Sequence, residues 1–156
     1  MKQVYRFSPL VRWITIVLAF LALGYGIFVV LTKLTDSSSY LSKLLPYAIV
    51  FLALNSLIKN FFTINTITLE DDFVEFSKLF GKSVNIRITT ISAISLVDGR
   101  RRFIKIDYQQ DGNNLSYKFS SGFPKIAEVL KKISDENSSI EFDEVLNGVI
   151  LDFESK

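Results

Sequence analysis

Twenty consecutive residues, Trp13 to Thr32, carry no ionisable side chain and lie between Arg12 and Lys33. At about 1.5 Å per residue, a helix of that length covers roughly 30 Å, the thickness of bilayer hydrocarbon. A second apolar stretch, Leu44 to Ile58, lies between Lys43 and Lys59. It is short alone, but both lysines can snorkel, which extends the usable stretch from Leu41 to about Phe62. The pattern predicts membrane spans over about residues 11–32 and 42–60. Pro46, whose missing backbone donor costs little near a helix start, predicts that the second helix begins near Lys43. The connector between Lys33 and Lys43 holds Thr35, Asp36, Ser37, Ser38 and Ser39, enough loop to return the chain antiparallel. Residues 1–61 are therefore expected to form a transmembrane hairpin, with Ala22 and Gly26 at the spacing that lets two helices approach closely.

Lys2, Arg6, Arg12 and Lys59 flank the hairpin at its two ends, against Lys33 and Lys43 in the connector. The positive-inside rule then places both chain ends, and the domain that follows, in the cytoplasm. A cleaved signal peptide is the rival reading, because Lys2 and Arg6 make a basic start. The apolar run is long for a signal core, and no small-residue cleavage pattern follows it.

From Phe62 the apolar period changes to two, the signature of strands with one buried face. Ile67 and Leu69 lead to the acidic tip Glu70-Asp71-Asp72, and Val74 and Phe76 continue beyond it. Gly81 and Lys82 turn the chain again, after which Val84, Ile86 and Ile88 alternate with Asn85, Arg87 and Thr89. Ile91, Ile94 and Leu96 run to Asp98-Gly99, a dipeptide suited to tight hairpins, and Ile104, Ile106 and Tyr108 follow. A further turn, Asp111 to Asn114, precedes Leu115, Tyr117 and Phe119. Then the period becomes helical. Ser121 is placed to cap, Pro124 stands near the first turn, and Ile126, Val129, Leu130 and Ile133 form one stripe closed by Lys131 and Lys132. Beyond it, residues 135–156 read as a solvated acidic tail. Phe142, Val145, Leu146, Val149 and Phe153 share a helical face there, with a strand at Val149 to Phe153 as the competing reading.

The rhythm from Ile67 through the Asp98-Gly99 turn to the helix ending near Ile133 resembles the small bacterial membrane proteins that carry a pleckstrin-homology-like (PH-like) domain. The resemblance implies an α+β membrane protein. Its two-helix transmembrane hairpin would be followed, over residues 62–134, by a bent antiparallel sheet or partly open barrel capped by one amphipathic helix. That superfamily usually has seven strands and six are countable here, so the Ile88 to Val97 region or the junction near Phe62 would hide another. The only tryptophan, Trp13, lies in the first span rather than in the capping helix. The first hairpin tip is acidic where inositol-lipid binders are basic, so that activity is not carried over.

Composition narrows the chemistry. The 156 residues include no cysteine and no histidine, so thiolate, disulfide, zinc and imidazole chemistry are absent from the chain. The net charge of +2 hides an asymmetry: residues 135–156 hold seven acids against Lys156, leaving 17 basic and 9 acidic residues before them. A basic body beside a bilayer favours anionic lipid. The sharpest cluster is Arg100, Arg101 and Arg102 with Lys105 on the strand that follows, suited to phosphate and expected to contact anionic lipid or a partner; its competing reading is a solvated turn. Glu70, Asp71 and Asp72 lack the spacing of a calcium loop, so no metal site is expected. Asn114-Leu115-Ser116 and Asn137-Ser138-Ser139 match the glycosylation acceptor pattern, which matters only for the inverted topology. No phosphate-binding glycine loop, cofactor site, catalytic pair or nucleic-acid surface is expected.

Three functions follow as expectations. The first is a non-enzymatic membrane-anchored module that recruits a protein partner at the cytoplasmic face of a bacterial inner membrane. The second is an anionic-lipid reader acting through Arg100, Arg101 and Arg102, and the third is a small membrane enzyme of envelope metabolism. Homo-oligomerisation stays open.

Overall fold

The computed structural model describes residues 2–33, 40–97 and 102–154. The chain divides into two units: Ser8 to Thr63 form one, while the residues up to Phe7 join those from Ile64 onward in the other.

The first unit is a pair of helices, α1 (Pro9–Lys33) and α2 (Tyr40–Phe62). Ile16 and Ala19 pack on Leu57, with Leu23 and Phe61 beside them. A Cβ on Gly26 would stand only 2.8 Å from Val50 Cγ2 and 3.4 Å from the Pro46 carbonyl oxygen. Early residues of α1 thus meet late residues of α2, so the helices are antiparallel. Ile16, Ala19 and Gly26 on one helix, and Pro46, Ala53 and Leu57 on the other, are buried at steps of three, four or seven residues, the spacing of a close helical seam. The helix expected near Lys43 begins at Tyr40 and carries Pro46 inside it. Continuing through the proline sacrifices one backbone bond, which the long packed seam outweighs.

Both helices are long and apolar enough to cross a membrane, over Pro9–Thr32 and Lys43–Phe62. Only 17% of the most apolar stretch of each is buried, whereas a core helix of a water-soluble protein would be mostly covered. Polar side chains in these helices bond to their own backbone. Thr15 Oγ1 donates to Val11 O at 2.8 Å, Thr32 Oγ1 to Phe28 O at 2.7 Å and Asn60 Nδ2 to Ser56 O at 2.9 Å. Each of these three side chains thus has a backbone acceptor that needs no water.

The second unit is α+β. Strands β1 (Gln3–Arg6), β2 (Ile64–Glu70), β3 (Phe73–Lys78) and β4 (Val84–Arg87) form one antiparallel sheet in that order. Strands β5 (Ile91–Val97), β6 (Phe103–Gln110) and β7 (Asn113–Ser120), with the short β8 (Glu141–Phe142), form a second sheet in the order β7-β6-β5-β8. Neither sheet closes into a barrel. Two-residue turns join β2 to β3 at Asp71-Asp72 and β6 to β7 at Asp111-Gly112, where Asp71, Asp111 and Gly112 adopt φ of 42°, 50° and 78°. Asp and Gly tolerate that left-handed backbone, which matches the twist of paired strands. A 3-10 turn at Ile88–Thr90 carries the chain between sheets, pinned by the Ile88 N–H donating to Asp72 O at 2.7 Å.

Helices α3 (Ile126–Glu136) and α4 (Glu144–Glu154) complete the unit. One core gathers Ile67, Val74, Phe76 and Ile86 from the first sheet and Ile94, Ile104, Ile106 and Phe119 from the second. Val129, Leu130 and Ile133 of α3 join them. The alternation read in these strands is the alternation that buries them, except at Leu115, which is exposed.

Three expectations change. Two strands go uncounted in the sequence, β8 in the tail and β1, which lies ahead of the first apolar helix rather than near Phe62; Tyr5 is buried, and β1 pairs with β2 in the register Gln3↔Leu69 to Arg6↔Thr66. The helical pair is thus inserted between neighbouring strands of one sheet. A signal peptide cleaved after α1 would remove an integral strand. Second, Ser121 does not cap α3; its hydroxyl donates to Arg102 O, and the helix starts after Lys125, whose backbone is left-handed at φ 55°. The helix also runs on to Glu136, so Lys131 and Lys132 do not close it. Third, the tail is folded. Ile140, Leu146 and Ile150 are buried, β8 pairs in parallel with β5, and the Asp143 carboxylate takes the Leu96 N–H and, at 2.8 Å, the Leu146 N–H as the cap of α4. Glu141 and Glu144 are exposed, so burying Leu146 and Ile150 leaves their charges in water. Asn137 is held by the same tail, its amide donating to Ile88 O at 2.9 Å and Ile91 O at 3.3 Å.

Candidate functional site

The strand register sorts the loops of the second unit into two ends. Arg6, Thr66 and Ser77 align across β1, β2 and β3, and Ile64 pairs with Lys78. At this end the chain leaves for α1 after Phe7 and returns from α2 through Thr63 alone. The β3–β4 turn lies here too, and it places Leu79 and Phe80, both exposed, between Lys78 and Lys82. Phe7 meets Phe123 edge to face at 5.2 Å between centroids, and two residues earlier the Ser121 N–H donates to Arg102 O at 3.2 Å. Arg102, just before β6, therefore stands at the same end.

Of the residues singled out in the sequence, Arg102 belongs to this rim, while Arg100 and Arg101, with the Asp98-Gly99 turn, lie outside the described residues. Lys105 stands apart from them. It points along β6 to Asp107, with Nζ 2.8 Å from Oδ2, and both groups are partly buried. The rim at this end carries Arg6, Lys78, Lys82 and Arg102 together with the exposed Leu79 and Phe80. Sequence reading missed its Arg6 and Lys78 members because only the pairing of β1, β2 and β3 brings them level.

The opposite end is acidic. The Asp71-Asp72 turn lies there, and Phe73, Arg87 and Asp111 line one hollow of about 280 Å³. Glu70 is engaged by Lys2 at 3.1 Å, and the Arg87 guanidinium lies 5.2 Å from the Phe73 ring centroid.

A second feature runs beside β1. Gln3 to Arg6 on one side and Pro124, Lys125, Glu128 and Lys132 on the other enclose a trough of about 370 Å³. The Tyr5 hydroxyl lies 3.0 Å from Glu128 Oε1 and 2.9 Å from Gln3 Oε1, and Lys132 donates to Gln3 and sits 5.9 Å from the Tyr5 ring centroid. Burial pushes the Tyr5 hydroxyl above its ordinary pKa, with Glu128 adding to the rise and Lys132 opposing it. Tyr5 therefore stays protonated and donates to the carboxylate. Glu128 also faces Lys125 at 3.5 Å and Lys132 at 3.9 Å, so its charge is locally compensated. None of this was visible in the sequence, where Gln3 and Glu128 are 125 positions apart.

Compared with known proteins, the chain matches no family model, and no curated protein matches it.

Proposed function

We propose that the chain is a membrane-anchored, non-enzymatic interaction module, which holds a PH-like domain at the cytoplasmic surface of a bacterial inner membrane and recruits a protein partner there. The observation that carries this reading is the insertion of an apolar helical pair between neighbouring strands β1 and β2. Lipid is the solvent that suits the exposed face of those helices, and the chain passes between helices and strands through only Phe7-Ser8 and Thr63. Support for a PH-like relationship comes from the order of elements: a four-stranded meander, a sharp corner, a three-stranded meander and a helix packed on the core. Tethering raises the local concentration of whatever contact the domain makes. Mild-detergent purification from native membrane tests it. A stoichiometric protein companion is the expected result, and turnover by the purified chain, abolished by one carboxylate substitution, would overturn it.

A second reading has its own observation. Arg6, Lys78, Lys82 and Arg102 share with an exposed Phe80 the end of the strands from which the chain leaves for α1, the combination of cations and an aromatic that suits an anionic headgroup layer. In a Trp13→Phe background, Phe80→Trp emission is expected to shift blue in nanodiscs and to be quenched by brominated lipid, and Lys78→Glu with Lys82→Glu to reverse both effects. Emission unchanged between detergent and anionic nanodiscs would remove the lipid contact.

A further inference from the structure

Strand β1 is an edge. The Phe7 N–H donates to Asn65 O at 3.4 Å, which fixes the phase of the ladder. With the register Tyr5↔Ile67 and Gln3↔Leu69, those two residues exchange bonds with β2, and Val4 and Arg6 turn their N–H and C=O groups to the open side. Both residues are exposed. The same four residues form one wall of the 370 Å³ trough, and the Lys125 to Lys132 face of α3 forms the other. Four extended residues cover about 13 Å and seven helical residues about 10 Å, so the two walls match in length.

We propose that this trough binds an extended acidic segment of a partner protein, added to β1 as a further strand. The proposal rests on the recruiting role above and gives that role a site. Arg6, Lys125 and Lys132 line the trough against Glu128 alone, and Glu128 is shared with both lysines. Beyond the Gln3–Lys132 contact lies a second hollow of about 220 Å³ that holds Asp71, Asp135 and Glu136. Acidic side chains of the incoming segment therefore belong at the Arg6 and Lys125 end. A peptide fits better than a lipid phosphate because the outward carbonyls of Val4 and Arg6 need N–H donors, which a phosphodiester lacks. Backbone pairing supplies affinity in this mode of binding, and the cations select the sequence.

The test uses the full chain in nanodiscs of zwitterionic lipid and a fluorescein-labelled peptide of alternating glutamate and valine, with a lysine–valine peptide as control. Saturable binding of the acidic peptide alone is expected, weakened at least about tenfold by Arg6→Glu with Lys125→Glu, from the loss of two charge-assisted contacts. Val4→Pro removes an outward donor without touching the β1–β2 ladder, so the domain should melt as before while binding is lost. Methylating alternate peptide nitrogens in one phase should abolish binding and in the other phase spare it, a readout that needs no variant to fold. Equal effects of both phases, or full binding by a folded Val4→Pro chain, would reduce the contact to charge alone and overturn the proposal. So would absent peptide binding with Lys125 amide signals that move only when anionic lipid is added. A native partner retained by the Val4→Pro chain would leave the recruiting role standing while removing this site.

Discussion

Deleting residues 2–7 is expected to abolish cooperative unfolding of the domain that begins fifty-seven residues later at Ile64. Tyr5 is 7% exposed, and losing its burial costs about 2–3 kcal/mol. The deletion also strips β2 of one whole row of backbone partners and exposes the upper flank of α3, where Tyr5 meets Glu128. Set against a total stability of about 5–15 kcal/mol, the combined loss takes most of the margin. Thermal unfolding followed by near-ultraviolet circular dichroism in detergent should show a broad or missing transition. The milder Tyr5→Ala should lower stability by about 3 kcal/mol. A deletion variant that melts within a few degrees of the intact chain would place β1 outside the domain.

Arginine at Leu18 or Leu52 should be almost as damaging, but through the bilayer. Both residues are exposed, at 59% and 63%, and each lies mid-helix on the outer face of the pair. In lipid the exchange costs about 3–4 kcal/mol per site, whereas an exposed Leu→Arg change in water stays within about 0.5 kcal/mol. The fraction of chain resisting alkaline carbonate extraction should fall sharply for either variant and further for both. If extraction and melting stay unaltered, water rather than lipid surrounds these helices.

Much of the architecture is legible in the residues. The two apolar runs, the alternation in Val84 to Phe119 and the Ile126 to Ile133 stripe each depend on local period, which a single sequence displays directly. The Asp-rich turns are equally local, since left-handed backbone selects their residue types. What escaped depends on pairing between distant segments. Gln3-Val4-Tyr5-Arg6 alternates over only four residues beside a strong membrane signal, and its partner β2 lies beyond the entire helical insertion. The tail read as solvated because seven acids against one lysine dominate its charge, although Ile140, Leu146 and Ile150 are buried. Its capping Asp143 gained meaning only once Leu96 stood next to it. The arginine cluster was found by charge alone. Strand register then separated Lys105, engaged by Asp107, from Arg102, and brought Arg6, Lys78 and Lys82 into the same rim.

A cross-link between Arg6→Cys and Thr66→Cys tests most directly whether the apolar pair is an insertion between paired strands. The chain has no cysteine of its own, and these residues face each other in a non-hydrogen-bonded pair, where Cβ atoms approach within about 5.5 Å. Mild oxidation of the full chain in membranes should give nearly complete intramolecular disulfide for this pair and little for Arg6→Cys with Ile67→Cys, whose side chains lie on opposite faces. Equal cross-linking of the two pairs, or none of either, would contradict the inserted-hairpin architecture.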